Sequence, residues 1–375
     1  MTQSSFSFDW AYAWGGPVGE CRFKSQSADF IVEEILPFEP SGEGEHACLL
    51  IEKEGENTDW IAGQLARFAG VKRSAVSYAG RKDRHGITRQ WFTAWMPGKE
   101  HPDWSAFGGE TFKVLQATKH GKKLRTGALK GNQFIVTLRD LTGERAEVDA
   151  RLKEIAEKGV PNYYGEQRFG HQGVNVDRAI GMFTGELRAR KNKRSIYLSA
   201  ARSWLYNRIL SERVQDGSWL TYQQGDVPGF QDSGSLILRD HDEELRARIE
   251  SGAVSLTVPL WGKGELLSGE VVQERESAIA AEYPELCQGL EAEGLKQERK
   301  AVRLIPADFN SQWLDDSTLQ LTFTLPKGCF ATAVLRELML CREESRQEEG
   351  RQEESLDKTD NEMGVEGMAV ENSAQ

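Results

Sequence analysis

The hydrophobic period of this chain changes twice, and that alternation is what most limits its fold. Residues 29–35 (DFIVEEI), 46–53 (HACLLIEK), 87–96 (ITRQWFTAWM), 111–118 and 133–139 read as strands, with a further short strand ending at Tyr78–Ala79. Helices are expected over 59–68, capped by Asn57 or Thr58 and stopped by Gly70, and over 144–157, stopped at Gly159-Val160-Pro161. In the strand 87–96, Ile87, Trp91 and Trp95 fall on one face while Phe92 and Met96 fall on the other. After Pro161 helical spacing takes over, at 175–183, 195–214, 240–250 and 274–290, with a short strand at 254–258. Strand signal returns over 301–325 and a last helix is expected over about 330–341. A strand-rich start, a helix-rich middle and a strand-rich end predict an α+β protein. Its sheet domain is discontinuous, residues 1–157 with 305–341, and residues 158–304 form an inserted domain.

Charge needs to be read locally. The formal net charge is −11, which taken whole argues against a nucleic-acid partner. Residues 342–375, however, carry eleven acidic and four basic residues, a balance of −7, which leaves −4 for residues 1–341. That acidic, Gln-rich stretch has almost no apolar content and is expected to be a disordered tail with no part in chemistry. Within the body, cations cluster at 81–89, 119–130 (KHGKKLRTGALK) and 188–194 (RARKNKR), and where cations sit matters more for RNA than their total. The five cysteines, Cys21, Cys48, Cys287, Cys329 and Cys341, are odd in number and lack CxxC spacing. They fit a reducing cytoplasm better than a disulfide framework or a zinc site. The N-terminus lacks the features of a signal peptide, and no run approaches the roughly 20 apolar residues of a membrane helix.

Chemistry concentrates in the loop 80–90, GRKDRHGITRQ, between two predicted strands. It sets one carboxylate, Asp83, among Arg81, Lys82, Arg84 and His85, with Arg89 just beyond. Neighbouring positive charge favours the ionised carboxylate and attracts a polyanion. A solvated, charged hairpin tip is the plain alternative on residue types alone. A non-catalytic RNA-binding protein is a rival reading. A nucleoside-bond hydrolase is another; it would need a second carboxylate, for which Glu33 or Glu34, both expected on a strand surface, would have to serve.

Several segments in register resemble the TruD-type tRNA pseudouridine synthases: AGRKDRHGITRQW around Asp83, LKGNQF at 129–134, PNYYGEQRFG at 161–170 and LPKGCFAT at 325–332, with DFIVEE at 29–34 and LSAARSWLYN at 198–207. The match runs in order from about residue 20 to 341. Gly86 departs from it, since the family pattern usually has alanine there. The resemblance implies a pseudouridine-synthase core with a mixed or antiparallel sheet and an inserted α/β domain in a V-shaped arrangement. It implies isomerisation of uridine to pseudouridine in tRNA, at position 13 of the D-arm, by a cytoplasmic monomer without metal or cofactor. Asp83 aligns with the catalytic aspartate, acting as nucleophile or by a glycal route, and Lys82 would hold it ionised. Phe134 would stack on the flipped base and Asn132 would present an amide to the base edge. Phe30 and Phe330 match two further substrate-pocket positions. All three phenylalanines stand equally as core residues. Asn162, Gln167 and Arg168 are read as contacts to RNA or to the interdomain seam.

Overall fold

The computed structural model describes residues 4–231, 234–238 and 242–343. The chain runs through β1 (Glu20–Phe23), β2 (Phe30–Ile35), β3 (His46–Glu54), α1 (Thr58–Phe68), β4 (Val76–Tyr78), β5 (Ile87–Trp95), β6 (Phe112–His120), β7 (Gly131–Arg139) and α2 (Arg145–Lys158). Next come β8 (Val160–Pro161), α3 (Val174–Phe183), α4 (Lys191–Gln215), β9 (Pro228–Gly229), α5 (Glu243–Glu250), β10 (Ser255–Leu260), α6 (Glu270–Glu282), α7 (Pro284–Ala292), β11 (Glu298–Ala301) and β12 (Arg303–Leu304). The last stretch is β13 (Ala307–Trp313), β14 (Leu319–Pro326), α8 (Ala331–Leu338) and β15 (Leu340–Glu343). The architecture is α+β.

A large mixed sheet in the order β13-β14-β7-β2-β5-β3-β6 joins the first and last stretches. β2 runs parallel to β5, and its other neighbour, β7, is antiparallel. β2 buries Phe30, Val32 and Glu34 and leaves the intervening residues half-buried, the period of two expected of a strand with one covered face. Register puts Val32, Thr88 and Lys53 on that same face, together with Asn132 opposite Glu34 and Phe134 opposite Val32. Two apolar cores cover it. One packs Phe30, Phe134 and Phe323 under Val148 and Ile155 of α2 and Val334 and Leu338 of α8. The other packs Leu49, Ile51 and Phe92 under Ile61 and Leu65 of α1. Between them Glu34, Lys53, Thr88, Gln90 and Asn132 form a polar seam.

A third core is built around α4, which buries Trp204, Tyr206 and Ile209 against α3, α7 and β10. The N-terminal Phe6, Phe8 and Trp10 pack into it.

Four expectations need correction. The helix over 274–290 is two helices, because Pro284 cannot donate to the preceding turn and instead opens α7. The run 301–325 is broken into β12 and the hairpin β13–β14. The last helix stops at Leu338, and the chain continues as β15, parallel to β1, with Cys21 opposite Cys341. β1 and β15 have four residues each, too few to show a period. The helix over 240–250 starts at Glu243, with Asp242 capping Leu245 N at 2.8 Å, and residues 239–241 lie outside the described residues. So does the acidic tail, apart from Arg342 and Glu343 at the end of β15.

Candidate active site

The site sits where one edge of β5 changes partner. β2 pairs with residues 87–89 of β5 and β4 with residues 92–94, both antiparallel or parallel neighbours on the edge away from β3. At the changeover the Trp91 N–H has no strand opposite it. It donates instead to Glu34 Oε2 at 2.9 Å. Glu34 Oε1 takes the Lys82 ammonium, also at 2.9 Å, and both side chains are buried. Glu34 is therefore no strand-surface residue: it ties the 79–86 loop to the sheet. The loop is pinned twice more, by Lys82 N donating to Thr58 Oγ1 (3.0 Å) and by Gln90 Nε2 donating to Gly80 O. Gly86 closes it with φ +129°, and a Cβ there would lie 2.5 Å from Phe30 O. A side chain at this position would meet the β2 backbone, so the loop needs glycine there.

Asp83 projects from the loop with its side chain 48% exposed. The arginines and the lysine beside it in sequence turn elsewhere, because consecutive loop residues splay to different sides. Arg81 pairs with Asp59 (3.1 Å), and Arg84 Nε donates to Gly55 O (3.0 Å). Arg89 bridges Glu33 and Glu52 at 3.0 and 2.9 Å. Positive charge reaches Asp83 from two residues that the sequence did not single out. Lys24 Nζ lies 3.8 Å from Asp83 Oδ2 and 3.2 Å from Glu343 on β15. Lys24 is buried, in a left-handed conformation (φ 57°), with its ammonium 4.3 Å above the Phe30 ring. Lys53, also buried, donates to Asp83 O at 3.0 Å and to Glu56 O at 2.8 Å. Burial lowers its ammonium to about 8, with Asp83 acting in the opposite direction. No local motif marks either lysine. Lys53 continues the buried face of Ala47, Leu49 and Ile51 at the end of β3, where a lone lysine between two glutamates reads as the strand running out into solvent.

Of the sequence-selected residues, Phe30, Lys82, Asp83, Asn132 and Phe134 lie around one seam. Phe30 and Phe134 are also core residues, 6.0 Å apart, with Phe134 stacked on Phe323 at 5.6 Å. Asn132 Oδ1 and Thr88 Oγ1 are buried there without a hydrogen-bond partner, which is costly unless a ligand completes them. Phe330 sits in a different set of contacts. It precedes α8 and packs against Tyr164 (5.9 Å between ring centroids) and the Arg168 guanidinium (5.4 Å). Asn162 is buried and donates to Ala301 O at 2.9 Å, a contact within the seam between the sheet and the helical core. Among the described residues no group of His, Cys, Asp or Glu is arranged to hold a metal ion. No helix among them is long and apolar enough to cross a membrane.

A family model described as tRNA pseudouridine synthase D (TruD) matches residues 10–187 and 184–338. The chain belongs to the TruD family. It is 48% identical over 335 residues to the tRNA pseudouridine synthase D of Aeromonas hydrophila, covering 89% of this chain and 94% of that one. It is 42% identical over 329 residues to the TruD of Hydrogenovibrio crunogenus, covering 88% and 95%. A crystal structure from Methanosarcina mazei that carries the TruD name superposes with a TM-score of 0.68 at 22% identity, over 88% of this chain and 95% of that one. That likeness establishes the TruD fold.

Proposed function

We propose that this chain converts uridine to pseudouridine in tRNA, at position 13 of the D-arm, with Asp83 as the reacting carboxylate. Family membership supports the reaction class, an intramolecular base transfer. In the net reaction the ribose C1′–N1 bond breaks, a C1′–C5 bond forms, and the proton on C5 is exchanged for one on N1. Two routes are open to a carboxylate: attack on C1′, or removal of the C2′ proton to give a glycal. Both need an ionised oxygen beside the ribose of an extruded nucleotide. The observation that carries this reading is the placement of Asp83, half-exposed and facing a buried ammonium, at the edge of a seam whose acceptors lack partners. Asn132 Oδ1 is suited to the N3–H of uracil, a donor that cytosine lacks, and the rings of Phe30 and Phe134 give the seam apolar walls.

We assign catalysis to residues 1–157 with 305–341, and RNA docking to the crease between these and the inserted residues 158–304. The exposed basic stretches 119–130 and 190–194 supply phosphate contacts that position rather than specify. The test is tritium release from tRNA labelled at C5 of uracil. Wild type should release tritium and Asp83→Asn should release none while still binding tRNA, a loss of about 10³-fold or more in rate. Equal release by both, or release by neither, overturns the reading. Carbodiimide mapping of the product tests position 13.

A further inference from the structure

Buried cations in this protein are, as a rule, compensated. Arg213 is paired with Asp226, Arg299 with Glu276 and Lys82 with Glu34. Arg303 donates to the carbonyls of Lys158, Ile249 and Glu250. Arg168 and Lys300, both half-buried, lie side by side without such compensation. Both lie against the Tyr164 ring, the guanidinium carbon at 5.3 Å and the ammonium at 4.1 Å from its centroid. Arg168 also lies 5.4 Å from the Phe330 centroid, and Lys300 lies 4.8 Å from that of Tyr206. Among the described residues no carboxylate comes within ion-pair distance of either. Arg168 makes one side-chain hydrogen bond, to Ser199 Oγ at 2.8 Å, and Lys300 makes one, to Asn162 O at 2.9 Å. A guanidinium has five N–H donors and an ammonium three, so most of their capacity is unspent. The unbonded Arg168 nitrogens are not sealed from solvent.

Two uncompensated like charges held in a crevice are costly in the free protein. The cost shows in Lys300, whose ammonium is lowered to about 8 by burial, with Cys329 opposing the fall and Arg168 adding to it. The face that they share ends at the first turn of α8, an eight-residue helix preceded by Phe330, which offers no side-chain cap. Ala333 N already donates to Phe330 O at 3.1 Å, and the N–H groups before it point out of the helix end, where they favour an anion. The 162–168 segment presses on that turn closely enough that a Cβ on Gly165 would lie 2.5 Å from Thr332 Oγ1.

We propose that Arg168 and Lys300, together with the open N-terminus of α8, bind one phosphodiester of the RNA strand next to the target uridine. The anion supplies the missing countercharge. It also draws the inserted residues and α8 onto the same nucleotide, setting Phe330 against it. This deepens the function proposed above and rests on it.

The test is a binding cycle on unmodified tRNA, with wild type, Arg168→Gln and Lys300→Met. Ligated tRNAs carry a neutral methylphosphonate at one or other linkage flanking the target uridine. Each variant should weaken tRNA binding and lower the slope of log Kd against log salt by about one. One of the two neutral linkages should weaken wild-type binding by more than either single variant does, and should cost Lys300→Met less than it costs wild type. Losses that multiply in that combination, or an unchanged salt slope, overturn the proposal. If a variant fails to fold, the wild type still decides: indifference to both neutral linkages is equally fatal. A wild type that releases no tritium sinks the proposed reaction instead, and the binding cycle reads out independently of it.

Discussion

Lys24 and Lys53, rather than Arg81, Lys82 or Arg84, bring positive charge to Asp83. Lys24 is shared between Asp83 at 3.8 Å and Glu343 at 3.2 Å, so replacing it with Met leaves two carboxylates facing each other. We expect Lys24→Met to slow single-turnover conversion by about 10²-fold with little change in tRNA binding. A rate within threefold of wild type would rule that role out. Lys53 gives a pH signature with opposite signs in two measurements. Its folded ammonium titrates near 8, whereas an unfolded lysine keeps its proton to about 10.4. Between these values the unfolded chain binds more protons, so Lys53 makes stability rise with pH. Over the same range the charge that Lys53 adds beside Asp83 disappears, leaving that of Lys24. At saturating enzyme, the single-turnover rate should therefore fall as pH passes 8 while the unfolding free energy does not. Lys53→Met should be slow throughout and lack that fall; a fall that persists in the variant removes Lys53 as its source.

The partner change along β5 turns an ordinary sheet edge into a site. A main-chain donor left over at Trp91 is met by a buried carboxylate, and that carboxylate in turn holds Lys82, the residue before Asp83. Glu34→Gln would leave the Lys82 ammonium buried without its countercharge, at a cost of roughly 3–5 kcal/mol. Urea unfolding should show the loss as a lower midpoint, together with a fall in activity because the loop is released. A midpoint equal to wild type would mean that the pair is solvated and the loop is held by other contacts. Long elements with a clear period were legible in the sequence: β2, β3, β5, β7, α1, α2 and α4 fall close to where their patterns put them. Glu34 was not legible, because Glu33 and Glu34 are identical letters and only the register with β7 buries the second of them.

Residues 6–16 strap the sheet to the helical core. Trp204 Nε1 donates to Ser7 O at 2.8 Å, and Arg336 reaches Trp10 O at 2.7 Å. Ala13 N donates to Glu337 at 2.9 Å, and Arg151 reaches Gly16 O at 2.6 Å. Trp10 itself is buried against Tyr163, Phe169 and Trp204. Trp10→Ala should cost about 3–5 kcal/mol, read by chemical denaturation. Because the strap fastens both α8 and α4, thermal unfolding should soften at the junction near Phe330 as well. Protection of the α8 amides from hydrogen exchange that matches wild type would contradict this coupling.

Periodicity, turn residues and a set of ordered motifs were enough for the fold class and the break in the sheet, and they singled out Asp83 as the candidate carboxylate, since each depends on spacing within a few turns or strands. Which charges face that carboxylate was decided in three dimensions. Lys24 is 59 positions from Asp83 and Glu343 is 260 positions from it, and they meet through strand pairing and a left-handed backbone that no local pattern encodes. The two cations against Tyr164 are likewise invisible along the chain, because Arg168 and Lys300 belong to segments that come together only when the helical core closes.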